Sequence, residues 1–434
     1  MRPLRLALWA FACCGCSLIW DDTAPEIPLL GAPPDISLLP RLNESPVGNQ
    51  AFIERSPSDW WLMMEERNGF IHTLRLSEPV QQEFIRGRLL AVARSTFYYD
   101  AIEGGNQVVV RRWASNQGYA VPTKQGTLVP SQDGASSAWV DQVLIADGRM
   151  LQQPAQVAKP FRNNLLFSLD DQQLIVRAPN NLITVFMVST GQSIVLGNYS
   201  GKLIVDPLGN LLVFSSAMVV RVPLDGSPPA LLDVAPNPEF GLFDFPDLIY
   251  SAGGEIRRHS LYDDTPPRIL QSGAARVLGF YSDGTVVYSR DSATHYIYGA
   301  GDGWLGKWHF MERGFFAGLS RDRARAYWID HAATAGGSGE LMSASIGGTP
   351  NLLGRNVHQV SELPDGRLLA VANRALLGPQ NRIIVIDEAA GTARWVADRA
   401  RAFRFVPDSP QEILVDIVIE NSGHDVVRMA IPPR

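Results

Sequence analysis

An all-β chain built from repeated small sheets is what this sequence predicts, and three observations carry the prediction. The stretch from Gly314 to Asp398 holds one pattern twice: GFFAGLSRDRARAYWIDHAATAGGSGELMSASIGGTPNLLG, then VHQVSELPDGRLLAVANRALLGPQNRIIVIDEAAGTARWVAD. Each copy runs from a short apolar strand through a polar turn at Asp322 or Asp365 into an apolar run. A Gly- or Pro-bearing loop, a second strand and a glycine turn into a last short strand complete it. The second observation is that a turn carrying Asp, followed by a strand, recurs at Asp170, Asp206, Asp247, Asp283, Asp322, Asp365 and Asp408, at spacings of 36, 41, 36, 39, 43 and 43 residues. Asp, Pro and Gly suit the tight turn, and the β-branched run after it suits a strand buried on both faces. The third is a trailing marker in phase with the first, a Gly or Pro turn as in LDGSPPALL (224–232), DDTPPRIL (263–270), IGGTPNLL (346–353) and AAGTARWVA (389–397). A unit of about 40 residues with three or four strands is the blade of a β-propeller.

Length and composition agree. A chain of 434 residues is longer than one core usually serves. Repeats escape that limit because each packs only on its neighbours. Apolar residues make up 46% of the chain, ordinary for a globular protein. With 38 basic and 44 acidic residues the formal charge is −6, and no basic run is present. That balance excludes sequence-independent nucleic-acid binding, which needs a concentrated Lys/Arg surface. No stretch reaches the roughly 20 apolar residues needed to cross a bilayer as a helix.

In chain order, residues 1–16 read MRPLRLALWAFACCGC, with Arg2 and Arg5 ahead of the apolar run Leu6 to Cys14. That is the layout of a signal peptide. The ending Cys13-Cys14-Gly15-Cys16 resembles a bacterial lipobox, which implies lipidation at Cys16, with Cys14 or Cys13 as alternative acceptors. Cys13 stands where that pattern usually has Leu. Ser17 after the cysteine, in place of Asp, implies the outer membrane. The only three cysteines lie in this segment, so the body has no disulfide and no thiolate metal site. Residues 17–50 carry six prolines and read as an extended tether, with the propeller over 51–434 and its first strand near Phe52.

Next, Trp60 to Glu66 and Phe70 to Leu76 flank Asn68-Gly69, a hairpin signal. In Trp60-Trp61, alternation buries one ring more than the other. Gly87 opens GRLLAVARS, with a partner strand from Gln107 to Trp113. Residues 126–157 read either as a degenerate blade or as an insertion. Leaving them out gives eight blades, with seven or nine as alternatives and the 58–77 hairpin helping closure. Closure through chain ends that share one blade would remove exposed sheet edges.

From about residue 160 to 434, LPDGRLLAVANR with SIGGTPNLLG resembles the repeat of TolB-type periplasmic propellers and of peptidase propellers. IDEAAGTARWVA, keeping Asp387, Gly391 and Trp395, resembles a quinoprotein repeat, the type that also builds an eight-bladed lipoprotein of outer-membrane protein assembly. Neither resemblance carries interaction residues onto this chain.

Peptidase propellers work beside a hydrolase domain bearing G-x-S-x-G. Here Gly336-Gly337-Ser338-Gly339 fails that motif at Glu340. The seven histidines are scattered singly, without an HExxH pair. Asp170-Asp171 and Asp263-Asp264 are adjacent, where a calcium loop needs alternate carboxylates. No phosphate cradle is found, and no metal, cofactor or catalytic residue is expected. The stretch GAGDGWLGKWHF (299–310) offers a candidate ligand platform: Trp304 and Trp308 to stack on a sugar or peptide, Lys307 and His309 as polar partners. The competing reading is an Asp302-Gly303 hairpin whose tryptophans pack between blades.

Three functions remain, in this order. The first is a lipid-anchored, non-catalytic scaffold that binds envelope proteins. The second is an enzyme or small-ligand receptor whose residues converge at the central channel. The third is a surface-exposed adhesion or polymer-binding lipoprotein.

Overall fold

The computed structural model describes residues 27–434 apart from 33–40, 45, 67, 78–80, 102–106, 114–117, 123–126, 132–136, 141–143, 147–148, 152–164, 179, 264, 274–275, 290–294, 302–303, 312–314, 331–337, 346–347, 374–380 and 420–422. Residues 1–16, read above as a signal peptide ending at Cys16, lie outside these residues. Every described regular element is a β-strand. Seven four-stranded antiparallel sheets stand separately, and three further four-stranded units share one 11-stranded sheet, giving ten units among the described residues. Each is a meander, and first strands meet one another between units 1 and 2, 2 and 3, 6 and 7, and 7 and 8, as in blades set around a common axis.

The expectation of eight blades meets ten such units, for two reasons. Residues 127–151, read as a degenerate blade or insertion, form a four-stranded sheet. The 58–77 hairpin belongs to a complete sheet as its strands Asp59–Glu66 and Phe70–Arg75. In the next unit the strand Gln107–Arg112 pairs with Thr96–Asp100, which lies between it and Arg88–Ala93. Strands also begin well ahead of Phe52. β1 (Leu29–Leu30), β2 (Arg41–Glu44) and β3 (Pro46–Ser56) all fall in or start from the stretch read as a tether.

The shared sheet has a simple cause. Asn351–Glu362 is the outer strand of unit 8 up to Val357 and the inner strand of unit 9 beyond it. Thr392–Val406 does the same between units 9 and 10. A left-handed residue, Asn356 in one and Arg399 in the other, turns each strand without breaking it. At the step from unit 4 to unit 5 that task falls to Gly201, whose φ is +121° and whose added Cβ would stand 2.0 Å from the Phe214 carbonyl oxygen. Gly201→Ala is therefore expected to destabilise the protein by about 1–3 kcal/mol, read as a lower urea midpoint.

The core lies between units, so second and third strands are apolar on both faces. In Asp59–Glu66, Leu62 and Met64 pack on Val406, Leu414 and Val426 of unit 10. Trp61 and Met63 point the other way, onto Leu89, Phe97 and Trp113 of unit 2. Period two with both faces covered gives a continuous apolar run. Unit 10 takes its first three strands from the C-terminal portion, and β2 supplies the fourth by pairing with Gly423–Ala430. Both ends of the chain thus share one sheet, and Trp60 Nε1 donates to Asp408 Oδ2 at 2.6 Å across the junction of units 10 and 1.

Candidate functional site

In a meander the turn between first and second strands lies at the same end as the turn between third and fourth. The Asp turns and the Gly/Pro turns therefore share one face of the ring. Their chemistry explains their recurrence. The carboxylates of Asp170, Asp206, Asp283, Asp322 and Asp365 accept backbone N–H groups of Gln172, Leu208, Thr285, Ala324 and Arg367 at 2.9–3.1 Å. These are Asx turns, which replace a missing ladder bond. The Ser320 hydroxyl and the Ala324 N–H hold the Asp322 carboxyl below its ordinary range, so it stays an acceptor near neutral pH.

The turns are also stitched to one another. Ser282 donates its N–H to the Arg323 carbonyl at 3.0 Å, joining units 7 and 8. Arg323 reaches Asp244 of unit 6 at 3.3 Å, and Arg221 of unit 5 donates to the Leu261 carbonyl of unit 6 at 2.6 Å. The Arg321 N–H donates to Glu362 between units 8 and 9. Burial raises the Glu362 carboxyl above its ordinary range, and Asp322 adds to the shift.

On this braced face sits an aromatic pair. Phe245 occupies the two-residue turn between Glu239–Asp244 and Asp247–Ala252, where Asp244 pairs with Asp247. Tyr262 follows the third strand of the same unit, Glu255–Ser260. Their rings meet edge to face at 5.6 Å, with Phe245 53% and Tyr262 64% exposed. Arg258 beside them binds Asp247 at 2.5 Å and stands 3.7 Å from Asp244. Leu169 and Leu208, in the corresponding turns of units 4 and 5, are also exposed. The exposed pair is thus flanked by the Arg258–Asp247 and Arg323–Asp244 ion pairs.

The residues singled out from sequence lie in the next unit, unit 7. Trp304, Lys307, Trp308 and His309 all fall in Trp304–Met311, the outer strand of unit 7, paired with His295–Gly301. Most of that stretch is thus a strand pair, closed where Gly301 faces Trp304, and the turn residues 302–303 lie outside the described residues. Lys307 pairs with Tyr298 and His309 with Ile297, which puts Trp308 at the bulge between them. Trp61 is buried and Trp60 half-buried, as alternation requires. Two of the histidines, His72 and His259, are buried in units 1 and 6, and burial lowers the pKa of His72. Among the described residues no group of three or more His, Cys, Asp or Glu could hold a metal ion. Inner strands of units 4 to 8 read LLF, KLIV, EFGLFD, RVLGF and FFAGL, whereas those of units 9 and 10 read VHQVSE (357–362) and RARAFRFV (399–406).

No protein-family model matches the chain, and no curated protein matches it. Solved structures do. An oligogalacturonate lyase in complex with manganese is similar at 10% identity over 90% of this chain and 99% of that one, with a TM-score of 0.35. The Dos1 propeller is similar at 11% identity over 80% and 93%, with a TM-score of 0.41. An oligogalacturonate lyase from Vibrio parahaemolyticus is similar at 9% identity over 90% and 99%, with a TM-score of 0.34. The fold itself is a β-propeller, all-β and built from consecutive antiparallel meanders.

Phe245 and Tyr262 could not be found from sequence. Phe245 lies in the recurring turn at Asp247 and Tyr262 just ahead of the turn at 263–270, but only the folded geometry of unit 6 brings them together.

Proposed function

We propose that this chain is a lipid-anchored, non-catalytic propeller of the bacterial cell envelope that binds other envelope proteins as a scaffold. The observation that carries the reading is the exposed Phe245–Tyr262 pair on a face braced by Arg258, Arg323, Asp244 and Asp247. Aromatic residues cost little conformational entropy to immobilise and supply large contact area, and the flanking arginines bind carboxylates or backbone carbonyls of a partner.

The anchor rests on the lipobox resemblance at Cys16, and Ser17 favours the outer membrane. Ten residues lie between Cys16 and Ile27, so eleven Cα–Cα steps separate them. Fully extended they reach about 40 Å at most, enough to hold the ring beside a membrane. Buried methylenes of an acyl chain contribute about 0.8 kcal/mol each, so two or more chains anchor firmly. Among propellers, the turn-strand repeat at Asp365 favours the TolB type.

Crosslinked capture from detergent-solubilised envelopes tests both parts. The wild type is expected to bring down a reproducible partner set. The double variant Phe245→Asp, Tyr262→Asp should lose at least nine-tenths of it with unchanged thermal unfolding, and Cys16→Ala should move the protein out of the membrane fraction. Full capture by the double aspartate variant removes the binding face. Membrane association that survives Cys16→Ala and the matching Cys13 and Cys14 variants removes the anchor.

A further inference from the structure

β1 lies outside the meander. It pairs with the outer strand of unit 9, Leu29 opposite Ala393 and Leu30 opposite Arg394, and it runs parallel to that strand where all other described pairings are antiparallel. The Ala393 N–H donates to the Pro28 carbonyl at 3.0 Å. Ile27 and Leu29 pack on the apolar cluster between units 8 and 9, against residues that include Leu353, Ile384 and Ala393. Gly31, at φ +82°, ends the strand after two ladder pairs. The strap does not fill its seat: a pocket of about 170 Å³ remains among Ile27, Leu29, Leu353, Gly354, Arg382 and Ile384. Beyond Arg394 the outer strand of unit 9 continues, whereas the added strand has already stopped.

We infer that the outer edge of unit 9 is a β-addition site, filled in cis by residues 27–30, that exchanges this strap for an extended apolar segment of another chain. An open sheet edge offers a row of backbone donors and acceptors, and β-addition uses them for affinity while pockets for alternate side chains set specificity. The strap has the form of such a segment, with Ile27 and Leu29 at alternate positions and no charge between them. Two ladder pairs and a partly empty pocket make it a weak occupant. A segment of about five residues, parallel to 392–398 and with larger apolar side chains at the two anchoring positions, gains both more pairs and better filling. The site is on the outside of the ring and does not depend on the Phe245–Tyr262 face.

Fluorescence anisotropy on the full chain tests this with a labelled peptide of residues 25–34. The probe should bind the release variant Ile27→Asp, Leu29→Asp at least tenfold more tightly than the wild type, whose own strap competes. Leu29→Ala, a milder release, should fall between them and serves if the double variant does not fold. Adding Ala393→Pro to a release variant removes the backbone donor and should abolish binding, a change tolerated on an edge strand. Equal affinity for wild type and a folded release variant, or binding that survives Ala393→Pro, overturns the inference. So does a folded release variant that fails to bind the peptide.

Discussion

Trp61→Ala is expected to destabilise the protein by about 3–5 kcal/mol, the range for removing a fully buried large aromatic. Trp61 is 0% exposed at the junction of units 1 and 2, with the Trp113 ring 5.2 Å away, edge to face at 77°. Phe97, Leu89 and Ile53 complete its surroundings, and the Arg55 guanidinium lies over both indoles, 5.2 Å from Trp61 and 5.6 Å from Trp113. Alanine opens a cavity walled by β-strands whose ladders prevent collapse, so the cavity adds to the lost transfer energy. Trp60→Phe is the control. It removes the Nε1 bond to Asp408 on the opposite face and part of the ring's packing against unit 10, and should cost about 1–2 kcal/mol. Because repeats interact mainly with neighbours, the damage should be local. Hydrogen exchange in Trp61→Ala should lose protection in units 1 and 2 before units 5 and 6. Uniform loss around the ring would show that cooperativity spans the whole molecule.

That neighbour-only logic also explains what could be read in the sequence. All seven spaced aspartates fall at the turn between first and second strands of units 4 to 10. Turn chemistry is local, so it leaves a local mark. Even the two that make other contacts keep their place. Asp247 starts a strand and binds Arg258, and Asp408 adopts φ +58° and accepts from Trp60. Unit 1 uses Ser58 as the left-handed residue at that turn and unit 3 has only short apolar strands, so these two fall out of the count, while unit 2, with Arg94 at its turn, is marked by GRLLAVARS. Contacts set by the ring itself left no mark. β1 and its partner strand lie at opposite ends of the chain, and β2 closes unit 10 from the same distance. Phe245 and Tyr262 look like any turn residue and any loop residue until the turns of unit 6 are folded side by side. Proline content suggested a tether over 17–50, yet proline excludes only central strands. Edge strands such as β1 and β2 accept it nearby.

Arg257→Ala should match Trp61→Ala in cost, about 3–5 kcal/mol, for an electrostatic reason. Asp233 is the outer-strand residue of unit 5 that faces unit 6, and its side chain is 7% exposed. Arg257 Nη1 reaches both its oxygens, at 2.9 and 2.7 Å, and the Tyr250 hydroxyl donates to Oδ2 at 2.6 Å. Burial pushes the Tyr250 phenol far up, with the hydrogen bond to Asp233 adding to it, so Tyr250 remains a donor at any working pH. Burial opposes the charge of Arg257, yet its bonds to Glu255 and Asp233 outweigh that and raise its pKa. Removing the guanidinium strands a buried carboxylate with one neutral donor. The paired arrangement is not itself a large source of stability, since desolvation offsets most of the attraction. The triple variant Asp233→Leu, Tyr250→Phe, Arg257→Met should therefore recover most of what Arg257→Ala loses, as measured by urea unfolding. A triple variant as unstable as the single would mean that shape, not the stranded charge, dominates the junction of units 5 and 6.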